Sequence, residues 1–186
     1  MPDYFYHVYN RAVDKRTIFY TEKDYEFFIS KALFYKEKTR VKILAYCILP
    51  NHWHFLLKEP TCEVAPTSQV GYSGISTFIS LLSNSYTKYF NYNKDHSGRI
   101  FQGQFKSKIV KKEAYLQTLI SYINLNPIKH KITNKPDDWY YTSHHNYLGQ
   151  VKFFKLVDRD YLIDFEEYSK GMGQYIKALL KIDDEF

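Results

Sequence analysis

The segment "VKILAYCILPNHWHFLLK", residues 41–58, constrains the fold of this chain more than any other. Two runs rich in β-branched and aromatic residues flank Pro50 and Asn51, a pattern typical of two antiparallel strands joined by a very short turn. The turn residues and two histidines also interrupt the apolar run well before the roughly 20 residues that a membrane span needs. We therefore expect an antiparallel sheet built around this hairpin.

The remaining chain supplies further strands and helices in a recognisable order. Their predicted spans are a strand at 5–10, a helix after Thr21 over 22–38, a helix at 74–95, two short strands around Gly103 within 97–110, a helix at 111–126 stopped by Pro127, and a last helix at 168–180. The order strand, helix, strand, strand, helix, strand predicts an α+β fold, a ferredoxin-like split βαβ sheet. Helices would cover one face and leave the other to a ligand, with an extra helix and a C-terminal tail beyond.

The chain is long enough for one well-cored domain, since it has 186 residues of which 45% are hydrophobic. We assign residues 1–132 to the main domain and 133–186 to an aromatic and charged extension packed on it. Cys47 and Cys62 lie in unlike settings, which indicates neither a disulfide framework nor a thiolate zinc site. The sequence opens without a secretory pattern, so a cytoplasmic location is expected.

Charge and aromatic content favour a nucleic-acid partner. The net charge is +6, and 19% of the residues are Phe, Trp or Tyr, including 19 tyrosines. Rings beside Lys and Arg are the composition of a surface that stacks single-stranded bases. The alternative for most of the tyrosines is a place in the core with the hydroxyl at its rim.

His52 and His54 form an H-x-H pair in the second strand of the hairpin. Residues two apart in a strand point to the same face, about 6.6 Å apart, so both imidazoles can converge on one divalent cation while Trp53 points into the helix layer. Two surface or half-buried histidines would give the same pattern. A metal site also needs at least one more ligand from elsewhere in the chain.

The helix before Pro127 offers candidates for the missing groups. Tyr122 and Asn126 in "SYINLNP" are four residues apart and share one helix face, so a phenol nucleophile would lie beside an amide ligand. Tyr115 is the rival nucleophile, although the residue four positions on is a leucine. A packing tyrosine and a helix-terminal asparagine are the structural alternatives. His7, on the first strand, could approach the site but is taken as a structural histidine.

Four motifs together resemble the HUH single-tyrosine transposases, in particular the REP-associated tyrosine transposases and their IS200-like relatives. They are "YHVYNRAVDKRTIF", "AYCILPNHWHFLLK", "GRIFQGQFKSKIV" and "YLQTLISYINLNPIKHKI", in the family's order, over about residues 5 to 132. The following "WYYTSHHNYLG" is similar to the family's tail. The resemblance implies an enzyme that cleaves and rejoins single-stranded DNA, often beside a hairpin.

Carried onto this sequence, the resemblance implies that His52, His54 and Asn126 hold Mg²⁺ or Mn²⁺. Tyr122 would attack the phosphodiester and form a 5′-phosphotyrosine intermediate. Relatives use different polar residues where Asn126 stands. Family members include both monomers and helix-swapped dimers, and the extended tail of this chain favours a monomer.

DNA contacts are expected from basic and amide side chains near the open sheet face. The candidates are Arg11, Lys15, Arg16, Arg99, Gln102, Gln104, Lys106, Lys108, Lys111 and Lys112. Lys and Arg would contact phosphates, and the two glutamines would read base edges. A solvated surface charge is the alternative for each basic residue, and the glutamines could merely close a hairpin.

Two other functions fit the same residues. A noncatalytic, domesticated regulator with this fold would bind hairpin DNA without becoming attached to it. A small metallohydrolase using the H-x-H pair would hydrolyse its substrate without needing Tyr122.

Overall fold

The computed structural model describes residues 5–60, 74–110, 116–150, 156–158, 160 and 164–183. The regular elements in chain order are β1 (Phe5–Arg11), α1 (Glu22–Thr39), β2 (Lys42–Leu49), β3 (His52–Lys58), α2 (Gly74–Asn93), β4 (Lys106–Val110), α3 (Leu116–Asn124), α4 (Asn126–Lys129), α5 (His144–Tyr147) and α6 (Phe165–Asp183). The predicted α+β order is confirmed.

The strands form one antiparallel sheet in the order β2-β3-β1-β4. The predicted hairpin is present, because Leu49 pairs with His52 across the Pro50 and Asn51 turn. On the other side of β3, Tyr9 of β1 lies opposite His54, and β4 pairs along the far edge of β1. The sheet thus brings residues about fifty positions apart into contact.

Helices α1 and α2 cover one face of this sheet. Their buried side chains, among them Phe28 and Phe78, pack in one apolar cluster with Trp53 and Phe55 of β3. Helix α1 begins with a capping box between Thr21 and Asp24, which satisfies the backbone amides of these two residues. The prediction that Trp53 points into the helix layer is confirmed.

The second face of the sheet is partly covered by α3, the extra helix that was predicted to carry Tyr122. Leu119, Ile120 and Ile123 of α3 join a second cluster with Cys47 and Leu56 of the sheet. The reason is that α3 has an apolar stripe of its own, which it buries against the β2 and β3 end of this face. Within the described part of the chain, the β1 and β4 side of this face is less covered, and Lys106 and Lys108 are exposed there.

The segment around Gly103 also departs from the prediction of two strands. Only β4 is a regular strand, and the preceding arm makes an isolated bridge between Phe101 and Ala12. The chain bends at exposed Gly103, where φ is 156°, and the Asn10 side-chain amide donates to the Gly103 carbonyl. A side chain therefore replaces the backbone ladder at this point.

The described C-terminal residues pack on the sheet edge and on α3. The Ser143 amide donates to the Tyr46 carbonyl, and the Ile48 amide donates to the Tyr141 carbonyl, so this segment runs beside β2. Asn124 of α3 donates to the Tyr168 hydroxyl of α6. The division at residue 132 stays an interpretation. No helix among the described residues is long and apolar enough to cross a membrane.

Candidate active site

The two histidines of β3 lie on the sheet face that α3 partly covers, and both are buried. His52 Nδ1 donates to Asn51 Oδ1 at 2.5 Å, while the Asn51 amide nitrogen donates to the Lys15 carbonyl. Because that amide oxygen can only accept, the His52 proton must be on Nδ1. The Nε2 lone pair of His52 is therefore left for a ligand such as a metal.

His7 contacts Nδ1 of His54, as Asn51 contacts Nδ1 of His52. The register of β1 and β3 sets His7 diagonally across from His54, and His7 Nε2 lies 3.0 Å from His54 Nδ1. His7, which the sequence predicts to be a structural histidine, contacts the candidate ligand His54 directly. A proton on His54 Nδ1 in this contact leaves His54 Nε2 as its free ring nitrogen.

Burial keeps these imidazoles neutral. It lowers the pKa of His7 to about 4, with Lys108 adding to the effect, and the pKa of His52 to about 3, with His130 and Arg11 adding. The pKa of His54 lies well below its usual range, first through burial and then through its neighbour His7. Neutral imidazole is the form that binds a metal ion, so no proton has to be removed at neutral pH.

Tyr122 extends from α3 toward the same histidines. Its ring centroid lies 6.0 Å from that of His7 and 6.2 Å from that of His54, in edge-on contacts, and Tyr175 of α6 packs at 6.0 Å. His52, His54 and Tyr122 line one pocket. The structure therefore brings the predicted nucleophile and the predicted histidine pair together. Tyr115 lies outside the described residues.

Asn126 lies directly after a break in the helix at Leu125, where the backbone leaves helical angles. Its side chain is fully buried, and its amide nitrogen donates to the carbonyls of Tyr122 at 2.9 Å and Ile123 at 3.3 Å. These two bonds fix the amide orientation and leave the buried Oδ1 without a hydrogen-bond partner.

Its role as a ligand stays a prediction. Asn126 is absent from the side chains that line the pocket. Among the described residues, no three or more His, Cys, Asp and Glu side chains are arranged to hold a metal ion. A third ligand of another type, such as an amide oxygen, would have to complete a site at the histidine pair.

The predicted DNA contacts divide into groups. Arg11, Gln102, Gln104 and Lys106 line the pocket of Tyr122, and Lys108 pairs with His7 in the strand register. Arg16 instead contacts His96 Nε2 at 3.0 Å and the Arg99 carbonyl at 3.5 Å. Lys15 and Arg99 are exposed and do not line this pocket, and Lys111 and Lys112 lie outside the described residues. Their roles on DNA stay predictions.

Five residues that line the pocket were not predicted from the sequence: Tyr9, Asn10, Gly103, Lys129 and His130. Strand alternation could have predicted Tyr9, because Tyr9 lies on the same face of β1 as His7 and Arg11. No such pattern could have predicted Lys129 and His130, because they follow the helix break. The His130 ring centroid lies 4.7 Å from that of His52, and Lys129 Nζ lies 3.5 Å from the Tyr122 hydroxyl.

Comparison with known proteins gives consistent matches. Residues 1–126 match the family described as "Transposase IS200 like". A curated "Putative REP-associated tyrosine transposase" of Haemophilus influenzae is 28% identical over 104 residues, which are 55% of this chain and 58% of that protein. The chain thus matches less than two thirds of that relative's length.

A solved REP-associated tyrosine transposase bound to a REP hairpin has a similar fold. The TM-score is 0.62 at 17% identity, and the alignment covers 88% of this chain and 87% of that one. At this identity the similarity establishes a shared fold.

Proposed function

The chain belongs to the IS200-like transposase family, and on this premise we propose that it is a metal-dependent enzyme that nicks and rejoins single-stranded DNA through Tyr122. The observation that carries the proposal is the shared pocket of Tyr122, His52 and His54. A phenol beside two neutral imidazoles provides a nucleophile and two metal ligands at one place.

The donor set suits a divalent cation. The hydrogen bonds of Asn51 and His7 engage Nδ1 of His52 and His54, and Asn126 carries a buried amide oxygen without a hydrogen-bond partner. We propose these three side chains as ligands of Mg²⁺ or Mn²⁺, with the remaining positions left to phosphate and water. The cation would polarise the scissile phosphate and offset charge that develops during attack.

The chemistry of the chain's own residues follows from that arrangement. The Tyr122 oxygen, having lost its proton to solvent, forms a bond to phosphorus, while the bond from phosphorus to the 3′ oxygen breaks. The 3′ oxygen takes up a proton from water, and the 5′ side of the strand remains attached to Tyr122. Because one phosphodiester replaces another, a 3′-OH can later attack this link and rejoin strands without ATP.

Basic groups around the pocket support a DNA substrate. Arg11 and Lys106 line it, and Lys108 lies next along the exposed edge strand. These side chains would hold phosphates, and Gln102 and Gln104 would meet base edges. The solved relative bound to a REP hairpin suggests hairpin DNA as the substrate class.

We further propose a monomer acting in the cytoplasm. The segment from Tyr141 to Ser143 occupies the β2 edge of the sheet through backbone hydrogen bonds. This edge would otherwise be available to pair with a second copy.

A covalent-adduct assay tests the proposal. Labelled hairpin DNA with randomised single-stranded flanks is incubated with the protein and Mn²⁺, or with a chelator, and then denatured. We expect a denaturation-resistant adduct that needs Mn²⁺ and is lost when His52→Ala and His54→Ala are combined. Hairpin binding without an adduct would instead indicate the noncatalytic regulator. Metal-dependent cleavage that survives Tyr122→Phe would indicate the metallohydrolase.

A further inference from the structure

Lys129 contacts Tyr122 across the break between α3 and α4. The helix breaks at Leu125 and restarts with Pro127 in its first turn. Lys129 Nζ lies 3.5 Å from the Tyr122 hydroxyl and 4.7 Å from the centre of its ring.

We propose that Lys129 is a further catalytic residue, whose ammonium group holds the attacking oxygen of Tyr122 and offsets negative charge on it during attack on the phosphate. This inference rests on the proposed function, since it assigns a role within the same pocket. The contact joins a cation directly to the reacting atom, whereas the predicted DNA contacts at Arg11 and Lys106 only share the pocket lining.

Lys129 is exposed, but its ammonium group contacts both the hydroxyl and the ring of Tyr122, which a freely solvated charge would not do. In the described part of the chain, the rings that contact Tyr122 are those of His7, His54 and Tyr175, on three different elements. Lys129 is the cation that the described contacts place on Tyr122, and it projects from α4 into the pocket shared with His52.

The proposed contribution is electrostatic, so Lys129 keeps its proton throughout. A cation at this distance in a partly solvated pocket accelerates attack by about 10-fold or more. Arginine preserves the charge and cannot serve as a base at neutral pH. A lysine acting as a proton acceptor would not be replaced by arginine, which separates the two roles.

The test compares single-turnover adduct formation at saturating hairpin DNA with Mn²⁺ for wild type, Lys129→Met and Lys129→Arg. Lys135→Met is the matched control, because Lys135 is an exposed lysine outside the pocket lining. Hairpin affinity is measured in parallel without metal, and circular dichroism checks that each variant is folded.

We expect Lys129→Met to form the adduct about 10-fold more slowly, Lys129→Arg to stay within about threefold of wild type, and all hairpin affinities to agree within about twofold. Equal rates for wild type and Lys129→Met would overturn the inference while leaving the proposed function intact. A rate loss in Lys129→Arg as large as in Lys129→Met would also overturn it. Absence of an adduct with wild type would instead reject the proposed function, and this inference with it.

Discussion

Replacing His7 with phenylalanine tests whether the neighbour of His54 helps to build a metal site. Phenylalanine keeps a ring of similar size on β1 but cannot pair with His54 Nδ1. The hydrogen bond that is lost spans 3.0 Å between two buried rings, with 8% and 7% of their surfaces exposed, so water replaces it poorly. His54 would then be free to turn or to change its protonated nitrogen.

A hydrogen bond of this kind contributes about 1 to 1.5 kcal/mol, which corresponds to about a 10-fold change in an equilibrium constant. Outer partners of metal-binding histidines have effects of about 10- to 100-fold on metal affinity. We therefore expect His7→Phe to weaken Mn²⁺ binding by about 10-fold in calorimetric titration, with the protein still folded.

Tyr9→Phe is the matched control for this experiment. The Tyr9 ring stacks on His54 at 5.5 Å between centroids, and the substitution keeps that ring while removing the hydroxyl. Its Mn²⁺ affinity should equal that of wild type. If His7→Phe binds Mn²⁺ as tightly as wild type, His7 does not orient His54 and the reasoning from the hydrogen bond is wrong.

Three further outcomes concern stability. Burial lowers the pKa values of His7 and His52 to about 4 and about 3, so the unfolded chain takes up protons before the folded protein as pH falls below about 6.5. The metal-free protein should therefore lose up to about 1.4 kcal/mol of unfolding free energy per pH unit for each histidine, down to the folded pKa of that histidine. Urea titrations at several pH values measure this loss. Constant stability from pH 7 to 4.5 would refute this. Trp53→Ala should lower the free energy of unfolding by about 3 to 5 kcal/mol, because Trp53 is fully buried, and a loss below about 1 kcal/mol would contradict the packing. Ser143→Ala should cost about 1 to 3 kcal/mol in the same assay by leaving the buried Asn124 oxygen without its 2.6 Å donor, and an unchanged midpoint would contradict that.

Local patterns in the sequence were sufficient for most of the fold. The hairpin at residues 41–58 and the start of α1 at Thr21 depend on neighbours within a few positions, and both match the structure. The prediction of two strands around Gly103 was wrong, because the chain bends there and a side-chain hydrogen bond from distant Asn10 replaces strand pairing. The cover of α3 over the second sheet face likewise depends on contacts between distant segments.

In the candidate site too, local sequence patterns predict some features, and others depend on contacts between distant segments. The side-by-side placement of His52 and His54 follows from strand alternation alone. The contact of His7 with His54 needs the register between β1 and β3, which no local pattern specifies. The approach of Lys129 to Tyr122 crosses a helix break at Leu125, whereas the sequence predicted a stop at Pro127, which instead lies in the first turn of α4.

The most direct test of the account is to identify the residue that becomes linked to DNA. Wild-type protein is incubated with labelled hairpin DNA and Mn²⁺, digested with protease and nuclease, and the nucleotide-bearing peptide is sequenced by mass spectrometry. We predict a single modified residue, Tyr122, together with loss of the adduct in Tyr122→Phe and its retention in Tyr115→Phe. Linkage at Tyr115, or an adduct that persists in Tyr122→Phe, would contradict the assignment of Tyr122 as the nucleophile.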